Sequence, residues 1–428
     1  MTASAPISSA QAATPAPAAA SYVSPWMDDD LAMFRDAAAR FIEAEMVPNE
    51  ARWREQQNVG PDIWRKAGAV GLLCTDVAAE HGGVGGDFRH EAVLYEELGR
   101  RGLSGFGQGV HSICAHYLVN HGTEDQKRRF LPRLASGELI GAIGMTEPSA
   151  GSDLQGLKTR AVRDGDHYVV NGSKIFITNG YLAGLIALVV KTRPGDGAKG
   201  TSILMVETKD QKGYRVGRIL DKMGLKSQDT AELFFDNVRV PADNLLGGSE
   251  GQGFYQLMAD LPYERILIAV AAVAAMEGAV AATIAYAKER KAFGKSIAEF
   301  QNTKFKLAEI STKARIARVF VDDCISRVVA GTLDTVTASM AKYWVTDAQQ
   351  EERALAKPQN VSFTGLWCRA ITPPFACIPA RGRSRARLPV KRARACRSPK
   401  SARPRRSPPA VAGGSGEQAQ TCRRECAA

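Results

Sequence analysis

The sequence predicts an α+β protein. An N-terminal helical domain is followed by a middle antiparallel β domain and a C-terminal helical bundle, with unstructured segments at both ends. Three observations carry this. Apolar residues recur at helical spacing over 25–142, give way to short strand-like runs bounded by turn residues over 143–247, and return to helical spacing over 248–352. The hydrophobic period therefore switches twice. At the two ends the composition turns to Ala, Pro, Ser and Thr (1–24) or to Arg, Ala, Pro and Ser (353–428), neither of which can bury a core.

Residues 1–24 read as a disordered leader. No charge precedes Asp28 and no Lys or Arg precedes Arg35, so it is neither a signal peptide nor an Arg-rich transit peptide. The expected location is the cytoplasm of a bacterial-type cell. Over 25–142 the helical spacing is clear at Asp28–Val47, Glu91–Leu98 and Glu124–Leu134. Between the first two lies Glu80-His81-Gly82-Gly83-Val84-Gly85-Gly86-Asp87. It lacks the Gly-x-Gly-x-x-Gly order and no buried strand precedes it, so it reads as a helix–helix loop with positive φ rather than a phosphate cradle. His81, His90, His111, His116 and His121 lack metal-site spacing and read as loop or core residues.

In the β region, Tyr168-Val169-Val170, Asn171-Gly172 and Ile175-Phe176-Ile177-Thr178 have the form of a hairpin with an Asn-Gly turn. Further strands are expected at Leu185–Thr192, Thr201–Glu207, Tyr214–Leu220 and Ala231–Val240. The C-terminal bundle opens at Leu261-Pro262-Tyr263-Glu264-Arg265, with Pro262 marking the helix start and every residue from Ile266 to Met276 apolar. A helix apolar all round belongs inside a bundle. Glu277 cuts the run short of the roughly 18 residues a bilayer requires, so no membrane span is expected. Glu264 has two readings, a first-turn acid favoured by the helix dipole or a buried base. Helices over Phe300–Ala330 and Leu333–Gln350 complete the bundle as far as it goes.

The net charge of +11 invites a nucleic-acid reading that its distribution cancels. Residues 353–428 hold 17 Lys or Arg and 2 acids, leaving 39 basic and 43 acidic residues over 1–352. The body is mildly acidic, and the tail has neither the interleaved aromatics nor the amphipathic helix of a nucleic-acid or membrane binder. Cys74, Cys114 and Cys324 are scattered through the body and form no CxxC, which suits a reducing compartment.

The most specific stretch is Met145-Thr146-Glu147-Pro148-Ser149-Ala150-Gly151-Ser152-Asp153. A strand there runs into a turn of small residues whose hydroxyls and N–H groups can approach a flat polar edge, or which is an ordinary turn capped by Asp153. This stretch resembles the flavin-binding signature of the acyl-CoA dehydrogenases. Gly172-Ser173-Lys174-Ile175-Phe176-Ile177-Thr178-Asn179-Gly180 is similar to that family's second flavin element. Lys222-Met223-Gly224-Leu225 and Asp236-Asn237-Val238-Arg239-Val240-Pro241 resemble its later β-domain landmarks. Arg290-Lys291-Ala292-Phe293-Gly294-Lys295 with Phe300-Gln301 resembles the segment that reaches a neighbouring subunit's FAD. The resemblance spans about 25–351.

The resemblance implies FAD as cofactor, an acyl-CoA substrate, an electron-transfer flavoprotein as partner and a homotetramer. It implies that Met145 and Thr146 meet the flavin pyrimidine edge, that Phe176 packs on the ring, and that Ile177 and Thr178 lie near flavin N5. Ser152 would contribute to the flavin site and face the acyl-CoA. Arg290 and Gln301 would bind FAD across a subunit interface. Leu261–Arg265 has the form of the base-bearing segment of the long-chain and isovaleryl branches, and Ala338-Ser339-Met340-Ala341-Lys342-Tyr343-Trp344 looks like the long-chain branch. Glu264 is then the base, with Pro262, Tyr263 and Arg265 beside the substrate. An acyl-CoA oxidase of the same fold, or an inactive truncated homologue, stays open. After 351 the family's next helix and its Gly-Gly-rich flavin motif are missing, and the tail is expected to be an out-of-frame reading of a GC-rich gene.

Overall fold

The computed structural model describes residues 22–103 and 105–356, with side chains to Glu351. The leader before Tyr22 and the tail after Ala356 lie outside the described residues, as does the expected frame shift.

The N-terminal region comprises α1 (Asp29–Phe41), continued by a π turn (Ile42–Met46), then α2 (Glu50–Gln56), α3 (Asp62–Ala69), α4 (Phe88–Arg100), α5 (Gln108–His121) and α6 (Glu124–Ala135). Local chemistry sets the starts. Asp28 accepts the Leu31 N–H at 2.9 Å. Asp87 with His90, and Thr123 with Gln126, form capping boxes at α4 and α6. His90 is thus a capping residue. The glycine-rich stretch is the expected helix–helix loop, with Gly82 at φ +85° and Gly85 at φ +75°.

The middle region is a seven-stranded sheet of β1 (Gly141–Gly144), β2 (Arg160–Asp164), β3 (His167–Thr178), β4 (Leu185–Lys191), β5 (Thr201–Glu207), β6 (Tyr214–Ile219) and β7 (Thr230–Pro241). Its order is β1-β4-β2-β3-β7-β6, with β5 on β4. Pairing is antiparallel except where β4 runs parallel to β1 and meets β2. The expected Asn171-Gly172 hairpin is corrected. The chain runs straight through as β3, because β7 offers a partner along its length. Asn171 instead lies opposite a bulge of β7, where Asp236 and Asn237 together face it and Asn171 Oδ1 accepts the Asn237 N–H at 2.9 Å. The two-residue turn is Gly165-Asp166, joining β3 to a β2 strand that the sequence reading missed.

The C-terminal region holds α7 (Gly253–Glu289), a small hairpin of β8 (Lys291–Ala292) and β9 (Lys295–Ser296), α8 (Gln301–Val329) and α9 (Thr335–Ala356). Two expectations are corrected here. The helix opens at Gly253, so Pro262 lies inside it and Glu264 stands about three turns in. Seating against β5 decides the start: a Cβ on Gly253 would lie 2.7 Å from the Ser202 carbonyl carbon. Nor does Glu277 make α7 too short or polar. Its best 18-residue window has mean hydropathy 2.1, enough by length and composition to cross a bilayer, with 61% of that window buried inside the fold. α7 packs against α4, α8 and α9. At Gly278 a Cβ would lie 2.2 Å from the Arg100 carbonyl oxygen, so the glycine admits α4.

Glu277 sits within a charged cluster that joins these helices. Arg318 of α8 donates to its two carboxylate oxygens at 2.7 and 2.8 Å and also reaches Glu96 of α4. Asp322 accepts from Trp26 Nε1 at 2.8 Å. Glu96, Arg318 and Asp322 are buried and Glu277 is half-buried, and they are mutually paired, the condition under which buried charge is tolerated.

Candidate active site

Glu264 lies on the α7 face that meets α5. Tyr117 of α5 donates its hydroxyl to Glu264 Oε1 at 2.7 Å. One turn earlier, Asp260 accepts from Asn120 Nδ2 at 2.7 Å and pairs with His121 Nε2 at 3.1 Å. Burial raises the Glu264 carboxyl to about 7; the Tyr117 hydrogen bond opposes the rise and the Asp260 charge adds to it. So deep in the helix, the dipole account of Glu264 does not hold, since that effect fades within the first turn. The neighbours diverge. Tyr263 is buried, its hydroxyl donating to Asp76 Oδ2 at 2.9 Å and its ring stacked on His116 at 3.9 Å. Arg265 is partly buried, with Nη1 shielded from solvent and unpaired, and Pro262 is partly buried.

The two sequence motifs meet in the sheet. β1 delivers Met145 and Thr146 beside β3, where the Ile175 N–H donates to the Thr146 carbonyl at 2.9 Å. Lys174 is fully buried and donates to the Met145 carbonyl at 3.0 Å and to Glu147 Oε1 at 2.8 Å. Burial lowers the Lys174 ammonium to about 8 against the pull of Glu147. Burial works to raise Glu147, but Lys174 and the Lys158 and Thr159 N–H groups outweigh it and hold the carboxyl below its usual value.

Beside this pair the β3–β7 ladder breaks. Ile175 and Phe176 together face one residue of β7, and Phe176 takes φ +64°. A bulky side chain at positive φ is strained and needs surrounding structure to hold it. Ile177 returns to the sheet core and Thr178 pairs with Thr230. Ser152 is exposed in the turn, and Asp153 caps it locally through the Gln155 and Gly156 N–H groups.

α5 links the halves. His111 Nδ1 accepts the Gly141 N–H of β1 at 3.0 Å, and Tyr117 reaches Glu264. At the end of β3, Asn179 at φ +61° donates to the carbonyls of Gly107 at 2.8 Å and Gly141 at 3.0 Å. Arg290 and Gln301 do not join the site. Both are exposed, and Arg290 lies roughly 39 Å along α7 from Glu264. Tyr117 is a site neighbour that the sequence did not single out, while Glu147, Lys174 and Asn179 stand in the quoted motifs with no role assigned to them. The available signal for Tyr117 was the Tyr117, Asn120, His121 spacing, a polar stripe on an otherwise buried helix.

Farther along α7, Ala271, Ala272 and Ala275 border a cavity of about 50 Å³ shared with α4 and the start of α5. These alanines stand roughly 10–16 Å beyond Glu264 along the helix axis.

The chain matches family models for the acyl-CoA dehydrogenase N-terminal domain over 28–138, middle domain over 142–238 and C-terminal domain over 251–356. It is 46% identical over 320 residues to the mitochondrial long-chain specific acyl-CoA dehydrogenase of Mus musculus, 74% of each chain. The crystal structure of an acyl-CoA dehydrogenase from Geobacillus kaustophilus is similar at a TM-score of 0.77 and 43% identity, over 80% of this chain and 90% of that one. A chain in a structure described as the electron transferring flavoprotein of Acidaminococcus fermentans is similar at a TM-score of 0.74 and 36% identity, over 79% and 89%.

Proposed function

We propose a substrate and a mechanism for this chain, which belongs to the acyl-CoA dehydrogenase family and within it resembles the long-chain branch. It is an enzyme of FAD-dependent acyl-CoA dehydrogenation. Its reaction converts a fatty or branched acyl-CoA to the trans-2-enoyl-CoA and passes the electrons to an electron-transfer flavoprotein.

The observation that carries the reading is Glu264, a carboxylate raised to about 7 by burial and oriented by Tyr117. A base that removes a weakly acidic proton α to a thioester needs a pKa near the working pH and a dry setting. Oε1 is occupied by the Tyr117 hydroxyl, so Oε2 is the atom that takes the α-proton. The bulge at Ile175–Phe176 fits FAD: it takes both residues out of the β7 ladder beside the Thr146 turn and leaves Phe176 partly exposed. Thr146, Phe176 and Thr178 would hold that cofactor. When bound, FAD supplies the two-electron acceptor for the β-hydrogen of the acyl chain. The Lys174–Glu147 pair keeps the two motifs in register, and the alanine-lined cavity beyond Glu264 receives the chain end.

The reading includes a homotetramer and a reducing, cytoplasmic setting. Exposed Phe293, Phe305, Tyr343 and Trp344 support assembly, and the three unpaired cysteines of the described residues suit the compartment. The test is Glu264→Gln in the full chain. The variant is expected to keep its flavin absorbance and lose acyl-CoA-dependent flavin reduction by several orders of magnitude. Retention of activity assigns the base elsewhere.

A further inference from the structure

Glu264 is not the only carboxylate on its helix face. Asp260 precedes it by one turn of α7, and positions four apart on a helix place their Cβ atoms roughly 5–6 Å from each other on one side. The hydrogen bonds from α5 show the same juxtaposition. Tyr117 donates to Glu264 Oε1 at 2.7 Å, and one turn later Asn120 Nδ2 donates to Asp260 Oδ1 at 2.7 Å. His121 Nε2 stands 3.1 Å from Asp260 Oδ2. The two helices therefore run antiparallel here, and one polar stripe of α5 holds both acids.

Asp260 is 5% exposed, and both of its oxygens are engaged by α5. Its ionic partner among the described residues is His121, the more exposed member of the pair. A carboxylate is rarely placed in such a setting, since desolvation penalises its charge. Placed one turn from a second buried carboxylate, it also opposes the ionisation of that neighbour. The titratable and charged groups acting on Glu264 among the described residues are Tyr117 of α5 and Asp260 and Arg265 of α7. After burial itself, which raises the carboxyl most, Tyr117 and Arg265 lower it and Asp260 alone adds to the rise.

We propose that Asp260 is a positioning residue of the dehydrogenation: clamped by Asn120 and His121 one turn from Glu264, it acts through that carboxylate and keeps it basic enough to take the substrate's α-proton. The inference rests on the reading of Glu264 as the base. It has a direct electrostatic sense. Once Glu264 Oε2 has taken the proton, Glu264 is neutral and its repulsion with Asp260 is gone, so Asp260 favours the transfer.

The test follows Glu264 in the full chain in two ways. One is the pH profile of kcat/KM. The other is the pH titration of the Glu264 carboxyl in infrared difference spectra, its band assigned by loss in Glu264→Gln, which needs no turnover. Asp260→Asn keeps the shape and removes the charge. It is expected to move both the acid limb and the carboxyl titration to lower pH by about one unit. The high-pH plateau is expected to fall severalfold, as for a weaker base. Asp260→Glu keeps the charge and is expected to restore most of the shift. His121→Gln keeps a donor to Asp260 and leaves its charge, so the limb is expected at or above its parent position. If Asp260→Asn does not fold, Asp260→Ser takes its place. An unmoved carboxyl titration in the neutral variant overturns the inference. So does a downward shift of similar size in Asp260→Glu or His121→Gln, which assigns Asp260 to helix packing. If Glu264→Gln is inactive and Asp260→Asn leaves the limb in place, the base stands and only this inference falls. If Glu264→Gln stays active, both fall.

Discussion

At the scale of single residues, the balance at Glu264 is between burial, which raises its carboxyl, and one phenol, which lowers it. Removing the phenol has a predictable sign. In Tyr117→Phe the lowering interaction is lost, so the Glu264 carboxyl stays protonated to a higher pH. The acid limb of kcat/KM, expected near pH 7 in the parent chain, moves to higher pH, and the rate at pH 7 falls about tenfold, as for loss of one hydrogen bond to a charged group. The limiting rate at high pH is largely recovered. A pH–rate profile checks this, and an unmoved acid limb contradicts the role given to Tyr117. Glu264 itself was visible in the sequence through the pattern around it. Tyr117 was not, since it lies 147 positions away and meets Glu264 only when α5 packs on α7.

At the scale of elements, the buried Lys174–Glu147 pair locks β3 to the turn after β1. Breaking one partner leaves a charge in the core. Lys174→Met is expected to destabilise the protein by about 3–5 kcal/mol, read from the urea midpoint, while Lys174→Met with Glu147→Leu recovers much of that loss. If the double variant is no more stable than the single one, the pair is not coupled as described. The same elements show why local reading failed in places. Asn171-Gly172 is a strong hairpin signal, yet β7 pairs on both sides of it and the long-range ladder outweighs the turn preference. Pro262 looked like a helix start. It sits inside α7, where seating against β5 and the packing of flanking turns outweigh the one N–H it removes.

At the scale of the molecule, Glu264 and Arg290 lie on one helix yet roughly 39 Å apart, too far to serve one site from a single chain. If Arg290 serves a neighbouring subunit, Glu264→Gln and Arg290→Ala assemblies should each be impaired while mixed assemblies regain measurable activity. In the mixture some sites pair an intact base with an intact arginine. Co-expression with differently tagged chains and assay of the doubly tagged fraction measures this. Activity no higher than the average of the two parents excludes a shared site.

What the sequence determined by itself was whatever depends on neighbours along the chain. The two switches of hydrophobic period, the helical stripes of Glu91–Leu98 and Glu124–Leu134, the Thr201–Glu207 strand and the glycine loop with its positive φ are all local, and the structure shows each of them. The motif order was equally local and placed the chain in its family. Tertiary structure alone decided the rest. It ran β3 through an Asn-Gly pair and set the start of α7 nine residues before Pro262. It also buried a helix that is by composition a membrane candidate. The physical reason is common to all three. Ladder pairing, close helix packing and desolvation are interactions between segments far apart in the chain, and each outweighs the modest local preference it opposes.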